Sequence, residues 1–287
     1  VWITSAVSER WTEREEQESL PVIREAHNWL AGMELWRYMQ RRAFRGELEA
    51  MEPAFRAALA NDSVRAVAAG HVVALHLAGL RDSTGFGQAR DILSSVPMIS
   101  TGFLLNHFWL GALAVAEEDW AEASREAART DSVAEAMESN GSDRAAGLAA
   151  ERRYALYGEA LREFIRVMRG DDSRLQAFEQ ALAGIPLSSF HAEFPVYHMK
   201  YEVGRRLIER GDIVRAQRYL RSLDPYAHIH YVPAQIQLGR IYEAMGEPEK
   251  ARDHYLIALN WWRDADPYVQ LWRTEVEEAV RRLSPDA

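Results

Sequence analysis

The amino-acid sequence predicts an all-α fold, built as an α-solenoid of antiparallel helix hairpins. Apolar residues recur at three- and four-residue steps along almost the whole chain, and no alternating apolar and polar run is flanked by hairpin turns. In addition, a pattern of glycine, alanine and large apolar residues around Gly204 recurs 35 residues later around Gly239. Repetition at this period is typical of arrays in which each repeat is one pair of helices.

Apolar stripes and the residues that end them place about fourteen helices along the chain. In the longest one, Tyr154, Tyr157, Leu161 and Phe164 share one face, and Gly170 suits a left-handed position after the helix end. Short turns join the helices. The predicted spans are 8–18, 21–43, 46–60, 62–79, 86–95, 98–117, 119–138, 143–169, 172–183, 190–210, 212–223, 231–245, 247–263 and 266–283.

The repeat gives each of its positions a physical role. Gly239, in the first helix, allows the second helix to approach closely, and Gly246 ends the first helix and opens the turn. Ala251 is small enough for a helix crossing, and Tyr255 fills the space beside it. The matching positions are Val203, Gly204, Leu207, Gly211, Ala216, Leu220 and Leu223, followed by Leu238, Gly239, Tyr242, Gly246, Ala251, Tyr255 and Ala258.

This second unit resembles the tetratricopeptide repeat (TPR), whose helix pairs carry Leu-Gly, Tyr, Gly, Ala, aromatic and Ala at these spacings. It departs from the family at Gln235, where Trp is usual, and its closing proline, Pro267, comes late. A weaker match near Gly111 has Glu118 where the family has its second glycine. The resemblance implies a right-handed superhelix whose concave groove binds a peptide or a partner protein.

The tail, from Tyr242 to Arg252 and from Ala258 to Pro267, resembles the C-terminal repeat of large bacterial multidomain proteins. In those proteins a serine/threonine kinase or a DNA-binding module precedes a TPR array. The resemblance implies a scaffold or signalling module, with any catalytic domain outside this chain. No kinase signature occurs in the 287 residues, so we expect no enzyme activity from them. A cytoplasmic location is expected, with the extracytoplasmic part of a membrane-anchored regulator as the alternative.

First-helix positions between the packing residues are the candidates for partner binding, since aromatic and arginine side chains are favoured interface anchors. These positions are Tyr197, His198, Tyr201, Arg205, Gln235 and Arg240. For the two tyrosines the alternative is packing between helices, and for Arg205 it is an ordinary solvated or ion-paired role.

The charge of the chain indicates which kind of partner it binds, and its acidic stretch contains an internal boundary. With 34 basic and 43 acidic residues the net charge is −9, which argues against nucleic-acid binding. Residues 117–151 hold ten acids and three arginines, or −7. They form either a docking face for a basic partner or a solvated outer face. The turn at residues 139–142 divides a divergent half, 1–140, from a more regular half with a C-terminal capping helix, 141–287, within one continuous solenoid.

The sequence also argues against a membrane-spanning helix and excludes any role that needs cysteine. It has no cysteine, so it has no disulfide, no thiolate metal site and no cysteine nucleophile. The uncharged stretch 98–116 is long enough to cross a membrane, but it contains Ser100, Thr101, Asn106 and His107. Such polar groups need partners in hydrocarbon, so we expect a buried helix without a membrane span.

The alternative function is a small-ligand or metal-binding sensor, or an enzyme, built on the His and Tyr residues of 190–231. Two or three imidazoles and an acid such as Glu193 could hold zinc, although the chain has no HExxH spacing. We therefore expect no metal and no cofactor. The histidines are His191, His198, His228 and His230.

Three tryptophans near the C-terminus leave the oligomeric state open. Trp261, Trp262 and Trp272 could cap the last hairpin, or they could form a homodimer face.

Overall fold

The fold is all-helical, as the sequence predicts. The structure is a computed structural model that describes residues 10–25, 34–35, 38–39, 42–43, 45–61, 64–80, 85–95, 106–139, 144–185, 193–224 and 229–284. Within these ranges thirteen α-helices have defined bounds, residues 34–35, 38–39, 42–43 and 45 are also helical, and there are two short 3-10 helices (Glu49–Met51 and Asp172–Arg174) and no strand. The helices are α1 Arg10–Glu25, α2 Glu52–Leu59, α3 Arg65–Leu77, α4 Phe86–Ser95, α5 Asn106–Ala116, α6 Trp120–Ser139, α7 Arg144–Met168, α8 Leu175–Gly184, α9 Glu193–Glu209, α10 Ile213–Arg221, α11 Tyr231–Ala244, α12 Pro248–Trp261 and α13 Pro267–Arg282.

Most consecutive helices pack against one another, including α6 and α7. Helices α3 and α4, α5 and α6, α7 and α8, α9 and α10, and α11 and α12 each lie against one another. The first helices also contact the next first helix, from α3 through α5 and α7 to α9. This second set of contacts brings four first helices side by side in the middle of the molecule.

Glycines in the first helices let the pairs pack closely. A Cβ atom at Gly239 would lie 2.4 Å from Cε1 of Tyr255, and one at Gly204 would lie 3.1 Å from Leu220. Separations below about 3 Å are not tolerated between carbon atoms, so only glycine fits opposite Tyr255. The roles that the sequence predicts for Gly239 and Gly204 are confirmed.

Glu118 adopts the backbone conformation of a turn glycine. Gly211 and Gly246 have φ values of 77° and 71° where their first helices end, and Glu118 has a φ of 58° where α5 ends. The hydrogen bonds match as well, since Glu118 N donates to Val115 O at 3.1 Å and Gly246 N donates to Glu243 O at 3.0 Å. The turn between paired helices therefore imposes a left-handed residue even where the sequence supplies a glutamate.

Two predicted boundaries in the N-terminal part are wrong. The sequence predicts a break between residues 18 and 21, but α1 runs through Pro21 to Glu25. Ile23, just after the proline, is fully buried. Its packing offsets the hydrogen bond that a proline cannot donate. The helix predicted to begin at residue 46 begins as α2 at Glu52, after a 3-10 turn.

The described part of the uncharged stretch is a buried helix. Helix α5 has 11 residues, and nine of them are buried. Asn106 Nδ2 donates to Leu93 O at 3.2 Å, which satisfies a polar group that the sequence leaves without an obvious partner. None of the described helices is long and apolar enough to span a bilayer.

The C-terminal hairpin contacts the N-terminal half. Asp266 N donates to Gly46 O at 3.0 Å, and the Asp266 carboxylate accepts from the backbone of Glu49. Trp262 is buried, with its ring edge to face against Trp272 at 6.2 Å. Trp262 therefore packs inside the chain, and residues far apart in sequence lie in contact. We call these contacts, between residues 46–49 and residues 262–269, the closing contact.

Candidate binding cavity between the first helices

A cavity of about 280 Å³ lies where α3, α5, α7 and α9 come together. Its floor is apolar and its rim is charged. The apolar lining consists of Leu77, Ala112, Val115, Ala116, Phe164 and Met168. The remaining lining residues are His76, Glu118, Trp120, His198, Glu202, Arg205, Arg206 and Glu209.

Helix α9 contributes most of the polar groups. His198, Glu202, Arg205 and Glu209 follow one another at steps of four, three and four residues, so they lie along one face of this helix. Arg206 lines the cavity beside them. The apolar residues come from the other helices, so the cavity exists only when all four helices are packed.

Ion pairs within α9 occupy both arginines of the rim. Arg205 Nη1 lies 3.2 Å from Glu202 Oε2, and Arg206 Nη1 lies 2.9 Å from Glu209 Oε2. Burial raises the pKa of Glu202 to about 7, and the Arg205 charge opposes this rise only in part. Glu202 is therefore a cavity carboxyl that changes charge near neutral pH.

His198 lies at the floor of the cavity within a layer of aromatic rings. Its ring centroid is 5.8 Å from that of Trp109 and 6.2 Å from that of Phe164. Its Nδ1 atom lies 3.3 Å from Nε2 of His230, and both rings are buried. Burial lowers the pKa of His198 to about 3, so the imidazole is neutral, and one ring donates a hydrogen bond to the other.

Of the six predicted partner-binding residues, the cavity brings together His198 and Arg205. Tyr197 and Tyr201 are buried, and the Tyr201 ring packs 5.3 Å from that of His230. These tyrosines therefore have the environment of helix-packing residues, which is the alternative role given for them above.

The other two predicted residues lie away from the cavity. Gln235 is buried and its Oε1 lies 2.7 Å from His254 Nδ1. Arg240 makes an ion pair with Glu275 at 2.7 Å. Partner binding at Tyr197, Tyr201, Gln235 and Arg240 stays a prediction, because nothing in the cavity geometry involves them.

Six of the polar and aromatic lining residues are not predicted from the sequence as members of a site: His76, Glu118, Trp120, Glu202, Arg206 and Glu209. Helical spacing offers a signal for Glu202, which lies one turn after His198 on the face that leads to Arg205. No spacing rule connects Glu118 or Trp120 to α9, because they lie on a different helix pair. Only the packing of that pair against α9 brings them together.

The acidic stretch that begins at residue 117 is partly neutralised inside the chain. Four of its acids pair with a basic group, and among the described residues the carboxylate of Glu118 pairs with none. The internal pairs are Glu117–Arg90, Glu122–Arg125, Glu126–His107 and Asp131–Arg162. Glu118 is therefore the acid of this stretch that both lines the cavity and keeps an uncompensated charge.

The metal alternative remains a prediction for part of its residues. His191 and His228 lie outside the described residues. Within the described ranges no three His, Cys, Asp or Glu side chains are grouped as metal ligands would be. His198 and His230 bond to each other, which leaves fewer free nitrogens for a metal ion.

The arrangement is suited to binding. Its volume of about 280 Å³ lies just below the range of about 300–1,000 Å³ that small-molecule sites occupy. An apolar floor with a charged rim accommodates one side chain, whose stem packs on the floor while its polar end meets the rim. Comparison with protein-family models, with curated proteins and with solved structures finds no match to this chain.

Proposed function

We propose that this chain is a protein-interaction module, a scaffold or regulatory element of the TPR kind. In this proposal its helix pairs form an α-solenoid, and the cavity between its first helices holds an anchor side chain of a partner protein or peptide. The observation that carries the proposal is the position of the cavity, which opens between the first helices of four successive pairs. In solenoids built from helix pairs, such a row of first helices forms the binding surface.

The repeat geometry supports the solenoid part of the proposal. The close approach at Gly239 and Tyr255 recurs at Gly204 and Leu220, and both pairs lie between a first helix and its second helix. The left-handed turn recurs at Glu118, Gly211 and Gly246. Helix pairs that stack in the same way must have the same local geometry at corresponding positions.

The dimensions of the cavity favour a side chain over a free small molecule. Interfaces depend on a few anchors that fill well-packed pockets, with weaker contacts around them that exclude water. A cavity of about 280 Å³ holds one such anchor. Arg205, Arg206 and Glu209 are part-exposed, at 42%, 38% and 51% side-chain exposure.

Selection of peptides with and without the cavity tests the proposal. Ala116 is exposed and lines the cavity, so Ala116→Trp fills it from the rim. Ala121 is equally exposed on α6 and does not line the cavity, so Ala121→Trp is a matched control. A random peptide library is selected on the original chain, and the affinities of the recovered peptides are measured on all three proteins.

We expect the recovered peptides to bind Ala116→Trp at least about tenfold more weakly, which corresponds to the loss of one anchor. The control should stay within about twofold. Peptides that bind Ala116→Trp and the original chain equally would show that binding occurs elsewhere, and the proposal would then be wrong. Circular dichroism on each variant checks that its helices are intact.

A further inference from the structure

The charges around the cavity do not balance. Three carboxylates and two guanidinium groups line it. The two guanidinium groups are already paired within α9, Arg205 with Glu202 and Arg206 with Glu209. The carboxylate that remains is that of Glu118, for which the described residues provide no cationic partner. Above the pKa of Glu202, the lining carboxylates and guanidinium groups therefore carry an excess of one negative charge.

The floor has the shape and chemistry for an aliphatic stem and a cation. Phe164 and Met168 supply apolar surface, and Trp120 supplies an aromatic ring near the rim. The Trp120 ring already attracts one cation, because the Arg169 guanidinium lies 5.9 Å from its centroid. Aromatic faces with nearby carboxylates favour ammonium and guanidinium groups.

An acidic occupant meets the opposite conditions. Its carboxylate would lie near that of Glu118, and the N–H groups it could reach belong to guanidinium groups already paired with Glu202 and Glu209. Displacing Glu202, whose side chain is only 15% exposed, would leave a largely desolvated carboxylate without its cationic partner, which is costly. The wider field has the same sign, since the chain carries a net charge of −9 and attracts basic partners at long range.

We infer that the cavity selects a basic side chain of the partner, a lysine or an arginine, whose cationic end is held by Glu118 and whose stem packs on Phe164 and Met168. This inference rests on the proposed function and adds the chemical class of the anchor. In the bound state the cation supplies the partner that Glu118 lacks. The charge of the anchor, together with its apolar stem, then determines which peptides the module accepts.

Model compounds for single side chains test the inference. The protein is labelled with ¹³C at its methionine methyl groups. Three compounds are titrated into it: Nα-acetyl-lysine methylamide, whose side-chain ammonium is free, and the norleucine and glutamate compounds blocked in the same way. Titrations run at pH 8 and constant ionic strength, with the Met168 methyl signal, assigned through Met168→Leu, as the reporter. Norleucine has an unbranched aliphatic stem without the ammonium group, so it separates the charge from the apolar contact.

We expect the lysine compound to move the Met168 signal along a saturating curve. The norleucine compound should need at least about fivefold higher concentration, in line with one ion pair and one cation–π contact. The glutamate compound should produce no saturating shift. A second comparison uses Glu118→Gln, expected to weaken lysine binding by about threefold to tenfold. Its matched control is Glu117→Gln, which removes the same charge from the adjacent residue, whose carboxylate pairs with Arg90 outside the cavity.

The outcomes separate this inference from the proposed function. If the norleucine or glutamate compound binds as well as the lysine compound, the basic anchor is wrong while the cavity remains a binding site. Equal effects of Glu118→Gln and Glu117→Gln would also overturn it, because only general electrostatics would then be at work. If Met168 responds to none of the three compounds, the inference fails, and the peptide selection with Ala116→Trp decides the proposed function by itself.

Discussion

The Nδ1 atom of His198 lies 3.3 Å from the Nε2 atom of His230, with both imidazoles buried beneath the cavity. Burial lowers the pKa of His198 to about 3 and that of His71 to about 4, and it holds the pKa of His230 well below its usual value. The unfolded chain protonates these residues below about pH 6.5, whereas the folded protein does not. The free energy of unfolding therefore decreases as the pH falls below 6.5.

A substitution at His198 isolates its share of this acid sensitivity. Glutamine is neutral at every pH and can hydrogen-bond to His230. We expect the original chain to lose about 2 kcal/mol more than His198→Gln between pH 7.5 and pH 5, because pH 5 lies about 1.5 units below the unfolded pKa. Urea unfolding at both pH values measures the difference. Parallel losses in the two proteins would show that His198 does not titrate in this way.

Gly239→Ala tests the close approach of α11 and α12. Alanine favours a helix over glycine by about 1 kcal/mol, so an uncrowded site would gain stability. The new Cβ would lie 2.4 Å from the Tyr255 ring, however. Overpacking of this kind costs about 1–3 kcal/mol or more. We therefore expect a net loss of at least about 1 kcal/mol.

Gly87→Ala is the matched control for that experiment. Gly87 lies in α4, and a Cβ there would meet no atom within 4 Å. We expect this variant to be neutral or more stable by up to about 1 kcal/mol. Chemical denaturation of both variants gives the comparison. A stabilising Gly239→Ala would show that the two helices do not pack as closely as described.

Glu118→Gly tests the cost of a glutamate in a turn that elsewhere contains glycine. A side chain in the left-handed region costs about 1–2 kcal/mol, part of which is returned by the greater freedom of glycine when unfolded. We expect the variant to be about 1 kcal/mol more stable and to bind the lysine compound more weakly. The measurements are thermal unfolding and the Met168 titration. A variant of lower stability would mean that the Glu118 side chain stabilises the fold.

Gly46→Ala tests the closing contact. Gly46 has a φ of 73°, and a Cβ there would lie 2.8 Å from both Ala265 and Val269. Gly211 has a similar φ of 77° with no atom within 4 Å of the corresponding position. Gly211→Ala therefore measures the backbone cost alone, about 1 kcal/mol. We expect Gly46→Ala to lose about 1–3 kcal/mol more than this control.

Hydrogen exchange locates that loss. Amides of α13 should exchange faster in Gly46→Ala than in Gly211→Ala, because the last hairpin would separate from residues 46–49. Equal exchange of α13 in the two variants would show that the closing contact does not hold the C-terminal helix in place.

The amino-acid sequence predicts the packing roles of the repeat positions best. Gly204 and Gly239 have the packing roles predicted for them. Glycine weakens a helix, so a glycine that recurs at a fixed spacing inside helices indicates a close contact at that position. Ala216 and Ala251 are fully buried, as expected of small residues at a helix crossing. These contacts form within a single helix pair, and the spacing of residues along the sequence is enough to predict contacts within one pair.

The cavity depends on features that spacing does not record. Tyr197 and Tyr201 lie in α9, yet they are buried, while Glu202 of the same helix lines the cavity. Which face of α9 meets the cavity is set by α5 and α7, whose repeats are divergent. In the sequence Glu118 stands out only as a departure from a glycine position, because tertiary packing alone places it in the same cavity as the α9 residues.

The hydrogen bond between Asp266 and Gly46 also bears on how this chain can change in length. An open array gains or loses a helix pair easily, since the new pair contacts only its neighbours. Here an added or deleted pair would move the last hairpin away from residues 46–49 and expose Trp262. The number of helix pairs is therefore set by the geometry of closure, and variation among natural versions should fall in loops and side chains at a constant repeat count.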